Sequence, residues 1–226
     1  MTLWRELWLV TAKDLRIELR SRVTIGQVLP FGLIVLLLFA FALDPDRGLL
    51  PKVAPGLFWV AVLLAALLAI SRSFAIEQAN GARDGLRLSG LDTGAIFLGK
   101  ALAIVLQLLA LEVVLGVGVV LFYDLTPRAA EILVPTAVAA TLGLAAAGTL
   151  YGVLAAGLRV RETLLPLLLL PVLAPVMLGA TRAFEAGLGL NGSTGEAWPW
   201  VELLALFAVI YTTMGFLAFG ALLEEA

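Results

Sequence analysis

VAPGLFWVAVLLAALLAI, residues 53–70, runs without a break into SRSFAIEQANGARDGLRLSGLDTGAIFLGK, residues 71–100. The first segment carries no charge and is long enough, at about 1.5 Å per residue, to cross most of a bilayer core. The second holds Arg72, Glu77, Arg83, Asp84, Arg87, Asp92 and Lys100. A lipid-soluble run that empties into a charged one marks the point where a membrane helix meets water. The rest of the chain repeats the pattern.

Hydrophobic residues make up 62% of the 226 positions and charged residues 14%, and the apolar residues arrive in long blocks rather than narrow stripes. A soluble core is too small to hide such blocks, and a transmembrane barrel would show alternating segments of about ten residues. The composition therefore specifies an all-α, polytopic integral membrane protein. The chain has no histidine and no cysteine. Imidazole or thiolate metal ligation, a cysteine nucleophile and disulfides are thus excluded, and no metal site is expected.

Six spans follow, near Thr24–Leu43, Val53–Ile70, Ile96–Phe122, Ile132–Leu158, Leu164–Ala183 and Trp198–Leu222. The first follows a basic lead and contains Ala40-Phe41-Ala42, which resembles a signal-peptide cleavage site. Its long charged lead with acids mixed in, and the five spans after it, favour a retained helix. Lysine and arginine then set the orientation. Arg5, Lys13, Arg16, Arg20, Arg22, Arg72, Arg83, Arg87, Lys100, Arg159 and Arg161 fall on one side, and Arg47, Lys52, Arg128 and Arg182 on the other. The richer side is assigned to the cytoplasm, with both termini. Trp59, Trp198, Trp200 and Tyr123 lie near span ends, where aromatic belts form.

Residues 1–22 form an amphipathic helix, with Trp4, Leu7, Trp8, Leu15 and Leu19 at helical spacing among charged residues. This suits an interfacial helix on the cytoplasmic leaflet. A topology anchor and a docking element for a partner both fit it. Within the spans, Glu112 is an acid deep in an apolar block, and an intramembrane carboxyl marks a possible functional site. A place near the outer boundary, where water reaches it, is the competing reading. Gly143, Ala147, Gly148, Gly152 and Ala156 offer close helix approach within the chain or between chains. Pro166, Pro171 and Pro175 predict a kinked or broken fifth span.

No G-x-x-x-x-G-K-[ST] motif is present, so ATP phosphates are not cradled by that device here. No carboxylate pair, serine triad or metal motif rises above background, and the chain is expected to be non-catalytic.

Ala54-Pro55-Gly56 with Trp59-Val60-Ala61, followed by Arg72-x-Phe74-x-x-Glu77-x-x-x-Gly81, resembles the haem exporter protein B (CcmB) family, permease subunits in cytochrome c maturation. Length, six spans and the N-terminal amphipathic helix agree along the whole chain; the later spans would also suit other ABC-2 type permeases. The resemblance implies a single permease domain over residues 1–226, with 1–22 as the interfacial helix and 71–95 as a cytoplasmic coupling segment. It also implies a bacterial inner-membrane location and a homodimer joined to two copies of a separate ABC ATPase. A Trp-rich haem-handling membrane subunit, a small single-span subunit and a periplasmic haem chaperone are the further partners it implies. Haem would then be held by the partners, since this chain alone is expected to bind no cofactor. Beyond these proteins and the lipid bilayer, no nucleic-acid partner is expected.

On the residues themselves, Ser71–Leu88 can form a short helix along the membrane, with Glu77, Gly81 and Gly85 on one stripe. Each glycine costs a helix up to about 1 kcal/mol relative to alanine, which a close-packed partner surface would justify. The competing reading is a solvated loop with Asp92 or Thr93 capping the next span. With the resemblance, Arg72, Phe74, Glu77, Gly81, Arg83, Asp84, Gly85 and Arg87 are the expected ATPase-coupling interface. Arg159, Arg161 and Glu162 are a possible second cytoplasmic contact. Two alternatives remain in view: an ABC-2 permease for a lipid, glycan or drug, and an ATP-independent scaffold for haem-handling subunits.

Overall fold

A computed structural model describes residues 2–22, 24–43, 48–79, 90–156 and 161–225. Seven α-helices account for most of them: α1 (Leu3–Ser21), α2 (Leu29–Ala42), α3 (Leu50–Ala79), α4 (Thr93–Tyr123), α5 (Ala130–Ala156), α6 (Arg161–Gly187) and α7 (Thr194–Glu225). A π-helical turn, Thr24–Val28, leads into α2. Helices α3 to α7 are each long and apolar enough to cross a membrane. The π turn and α2 together reach roughly the ~30 Å of a hydrocarbon core, and their axis bends 54° from that of α1. Of the six expected spans, the five later ones correspond to α3 to α7, and the first falls on the turn plus α2, which qualifies as a crossing only together with α1 as one bent pair.

Helix α5 lies at the centre, against α3, α4, α6 and α7. Its small residues explain that position, because helices without a hydrophobic drive between them gain most from close backbone approach. Gly143 faces Phe207 of α7, while Gly148 and Gly152 face Ile70 and Phe74 of α3 with no room for a Cβ. The small-residue spacing of this span thus serves packing within the chain. The same device recurs where α4 crosses α7: Phe97 fills the space over Gly215, and Phe216 that over Gly94.

Several details depart from the sequence reading. α3 continues through Ser71–Ala79 in one helix with the second span, rather than ending at Ile70 and starting a new helix along the membrane. α6 runs through Pro166, Pro171 and Pro175 as one continuous helix, so the span is not broken there. Trp59 is buried rather than part of an aromatic belt. α3 begins at Leu50, which carries Trp59 several turns in, where its ring meets Phe184 of α6 edge-on at 5.0 Å. Tyr123 is also buried, and its hydroxyl donates to the Leu36 carbonyl at 2.8 Å, tying the end of α4 to α2. Trp198 remains 45% exposed, as an interfacial residue should be.

Candidate functional site

The bundle end at which α3 stops and α4 starts carries a buried polar cluster. Asp92 caps α4, its Oδ1 accepting from the Ala95 N–H at 3.0 Å. This satisfies one of the free amides that every helix start presents. Glu6 of α1 reaches the same corner, its Oε2 accepting from the Asp92 N–H at 2.9 Å. One turn further along α1, the Thr11 hydroxyl lies within hydrogen-bond reach of both the Leu7 carbonyl, at 2.9 Å, and the Gly99 carbonyl, at 3.0 Å. Gly99 permits that approach: a Cβ there would lie 2.7 Å from Val10 Cβ and 2.8 Å from the Leu7 carbonyl oxygen. Leu7 and Val10 are buried on α4, whereas Trp4, Trp8 and Leu19 face outward. The amphipathic helix thus has one face for the bundle and another for its surroundings.

Lys100 lies within this cluster and is 2% exposed. Its Nζ stands 3.4 Å from Asp14 Oδ2 of α1 and 5.0 Å from the centroid of the Phe74 ring of α3. A buried ammonium needs a compensating charge or an aromatic face, and here two different helices supply one each. Asp14 also meets Lys13 at 2.9 Å. Phe74 is itself buried, pressed onto Gly152 of α5. Four helices, α1, α3, α4 and α5, therefore meet through Asp14, Phe74, Lys100 and Gly152.

Of the expected coupling interface, Arg72 is part-buried, and its Nη1 donates to Gln27 Oε1 in the π turn at 3.1 Å. Phe74 points into the chain's own core, so it positions the segment from within and is not part of an outer contact surface. Glu77 lies in the last turns of α3, and Arg161 and Glu162 open α6; the side chains of these three lie outside the described set. Gly81, Arg83, Asp84, Gly85, Arg87 and Arg159 fall outside the described residues altogether. Sequence reading did not single out Glu6, Thr11 and Asp14, and it counted Lys100 only as a topology signal. The available clue was Lys100 itself, a lone cation inside the apolar run Ala95–Leu106.

The second polar feature lies deeper. Glu112 is 5% exposed, away from solvent, and its Oε1 accepts a hydrogen bond from the Thr141 hydroxyl of α5. Its Oε2 has no hydrogen-bond partner among the described residues. Glu112 forms part of the wall of a cavity of about 530 Å³, otherwise apolar and lined by α3, α4, α5, the 124–129 connection and the end of α6. No cluster of metal-ligating side chains occurs among the described residues.

The chain matches the model of a family described as CcmB protein over residues 5–226. It is 32% identical to the heme exporter protein B of Paracoccus denitrificans, over 92% of this chain and 93% of that one. The protein of the same name from Haemophilus influenzae is 33% identical over 80% of this chain and 82% of its own length. That of Rhodobacter capsulatus is 31% identical over 93% and 94%.

Proposed function

The chain belongs to the CcmB protein family, and from that premise we propose that it is the permease subunit of an ABC-type haem exporter serving cytochrome c maturation. The observation that carries this reading is the near full-length likeness to proteins named heme exporter protein B, joined to five long membrane-crossing helices with a shorter one before them. The protein is a multi-pass membrane protein. Its lysine and arginine distribution favours a bacterial inner-membrane orientation with both termini in the cytoplasm.

ATP hydrolysis belongs, in this reading, to a separate ATPase that docks on the segment after α3, around Gly81, Arg83, Asp84, Gly85 and Arg87, and on Arg159 with the start of α6 at Arg161 and Glu162. What supports transmission is the linkage behind that segment. The end of α3 carries Phe74, which is seated on Gly152 and under Lys100, and Lys100 is paired with Asp14. Displacement of the α3 end would therefore act on α1, α4 and α5 together. Packed interfaces switch between discrete arrangements rather than bending continuously, so a push from the ATPase becomes a shift of helices. A second copy of the chain, a Trp-rich haem-handling subunit, a small single-span subunit and a periplasmic haem chaperone complete the proposed assembly. Without histidine or cysteine in this chain, the haem iron would be ligated by those partners.

Complementation tests the reading. In a bacterium deleted for its own copy, together with the partner genes native to this chain, the chain should restore covalently haem-loaded c-type cytochromes on a haem-stained gel. Partner genes that restore them without the chain would count against it.

A further inference from the structure

Helix α1 sorts its charges between its two sides. Glu6 is buried and accepts from the Asp92 N–H, Asp14 faces Lys100, and Glu18 lines with Asp14 a narrow crevice closed by α3 and α4. All three acids of the helix thus turn toward the bundle. Arg5, Arg16 and Arg20 are exposed instead, as is Arg22 at the C-cap, and none of the four makes an ion pair among the described residues. Lys13, between the two sides, is paired with Asp14. At 3.6 residues per turn the outward side divides again: Trp4, Trp8 and Leu19 fall within about 60° of one another. Arg5, Arg16 and Arg20, with Leu9 among them, occupy a second sector beside the first. Trp4, Trp8 and Leu19 are 77%, 60% and 69% exposed.

An aromatic and aliphatic strip beside an arginine strip that holds no acid is complementary to a bilayer surface carrying negative charge. The rings and Leu19 enter the headgroup boundary, and the guanidinium groups meet lipid phosphates. α1 leads through the π turn directly into α2, so its outward side borders the bilayer that the spans cross. An acidic protein would match the arginines but would have to displace lipid from Trp4 and Trp8. We infer that the outward face of α1 is a binding site for anionic phospholipids, and that their attachment seats the helix on α4. The inward contacts of Glu6, Thr11 and Asp14 all meet the stretch of α4 and its cap between Asp92 and Lys100, so a helix held from outside by lipid keeps them closed. The inference depends on neither the ATPase nor the cargo.

The full chain can be placed in nanodiscs of phosphatidylcholine alone and of phosphatidylcholine mixed with phosphatidylglycerol, and cutting by proteinase K within residues 2–22 followed by mass spectrometry. Cutting should be about tenfold slower or more with phosphatidylglycerol, since each cation near an anionic surface strengthens attachment roughly fivefold. Hydrogen exchange of the amides of residues 92–104 should slow with it. Arg5→Gln, Arg16→Gln and Arg20→Gln in one chain should erase both differences while leaving the rates in phosphatidylcholine unchanged; lysine at the same three positions should keep them. Equal cutting of the unsubstituted chain in the two lipids would overturn the inference, and so would a difference that persists in the triple glutamine variant. Slower cutting without slower exchange at residues 92–104 would overturn the seating of α1 on α4. In the native complex a photoreactive side chain at position 8 should join to lipid. An adduct with a protein subunit in its place would assign the face to that partner and overturn the lipid site.

Discussion

The Lys100 ammonium stands 5.0 Å from the centroid of the Phe74 ring, joining the start of α4 to the end of α3. Neither residue is on the surface: Lys100 is 2% and Phe74 6% exposed. A cation placed there is costly unless it is compensated, and Asp14 of α1 supplies the opposite charge. Removing one partner of a buried pair leaves the other uncompensated and typically costs about 3–5 kcal/mol, whereas replacing the charge by an apolar side chain of similar volume can be neutral. Lys100→Met, which keeps the bulk of the side chain, should be tolerated better than Lys100→Glu, which sets a second buried carboxylate against Asp14. Thermal unfolding in detergent checks the order, and equal losses would show that the pair is not the operative contact.

Gly152 sets how closely the end of α3 lies on α5. A larger side chain there must displace the Phe74 ring, and overpacking of this kind costs about 1–3 kcal/mol. Gly152→Val should lower the unfolding temperature, and Phe74→Leu in the same chain should recover part of the loss. The two substitutions should be coupled by roughly 0.5–3 kcal/mol; strict additivity would mean that the helices do not meet at this point.

Gly99 and Thr11 fasten α1 to α4. Gly99→Leu would press on the Leu7 carbonyl, which is backbone and cannot swing aside. α1 should detach while the spans stay folded, so limited proteolysis should cut within residues 2–22 much faster than in the unsubstituted chain. Thr11→Val, which keeps the shape and removes the hydroxyl, should show a smaller effect in the same direction, of about 1 kcal/mol.

Thr141→Val removes the hydrogen bond to Glu112 Oε1. A buried polar group left unpaired costs about 1–3 kcal/mol, so this variant should unfold at lower temperature than Thr141→Ser. Combining Thr141→Val with Glu112→Leu should return most of the loss, because no unpaired polar atom then remains.

The spans were legible because length and apolarity are local properties. Thr24–Leu43 and Ile96–Phe122 lie within a few residues of the helical segments Thr24–Ala42 and Thr93–Tyr123. The facing of each helix was not legible. In lipid both the packed and the exposed face are apolar, so nothing in the pattern of α4 separates exposed Val113 and Val117 from buried Leu111 and Leu115. For the same reason Trp59 read as an interfacial residue when it is core. The polar cluster at the α3–α4 end depends on contacts such as Glu6 to Asp92 and Asp14 to Lys100, far apart in sequence and without local periodicity. Glu112 was visible as an anomaly, but its Thr141 partner and the cavity beside it required the tertiary arrangement. Position alone left Asp92 or Thr93 as the cap, and it is the Asp92 side chain that caps α4.

The segment after α3 is the proposed seat of the ATPase. Gly85→Trp should abolish co-purification of the ATPase while leaving helix content, by circular dichroism, and thermal unfolding unchanged. Because the chain contains no cysteine, Asp84→Cys offers a unique thiol, and a bifunctional reagent should join it to the ATPase in native membranes. Cross-linking to lipid alone would place the segment away from any partner.

Purification of the full chain from its native membranes, with identification of what accompanies it, tests the central claim most directly. The account predicts an ABC ATPase together with a Trp-rich membrane subunit and a haem absorbance band in the same complex. Recovery of the chain with neither an ATPase nor a haem-handling subunit would contradict it.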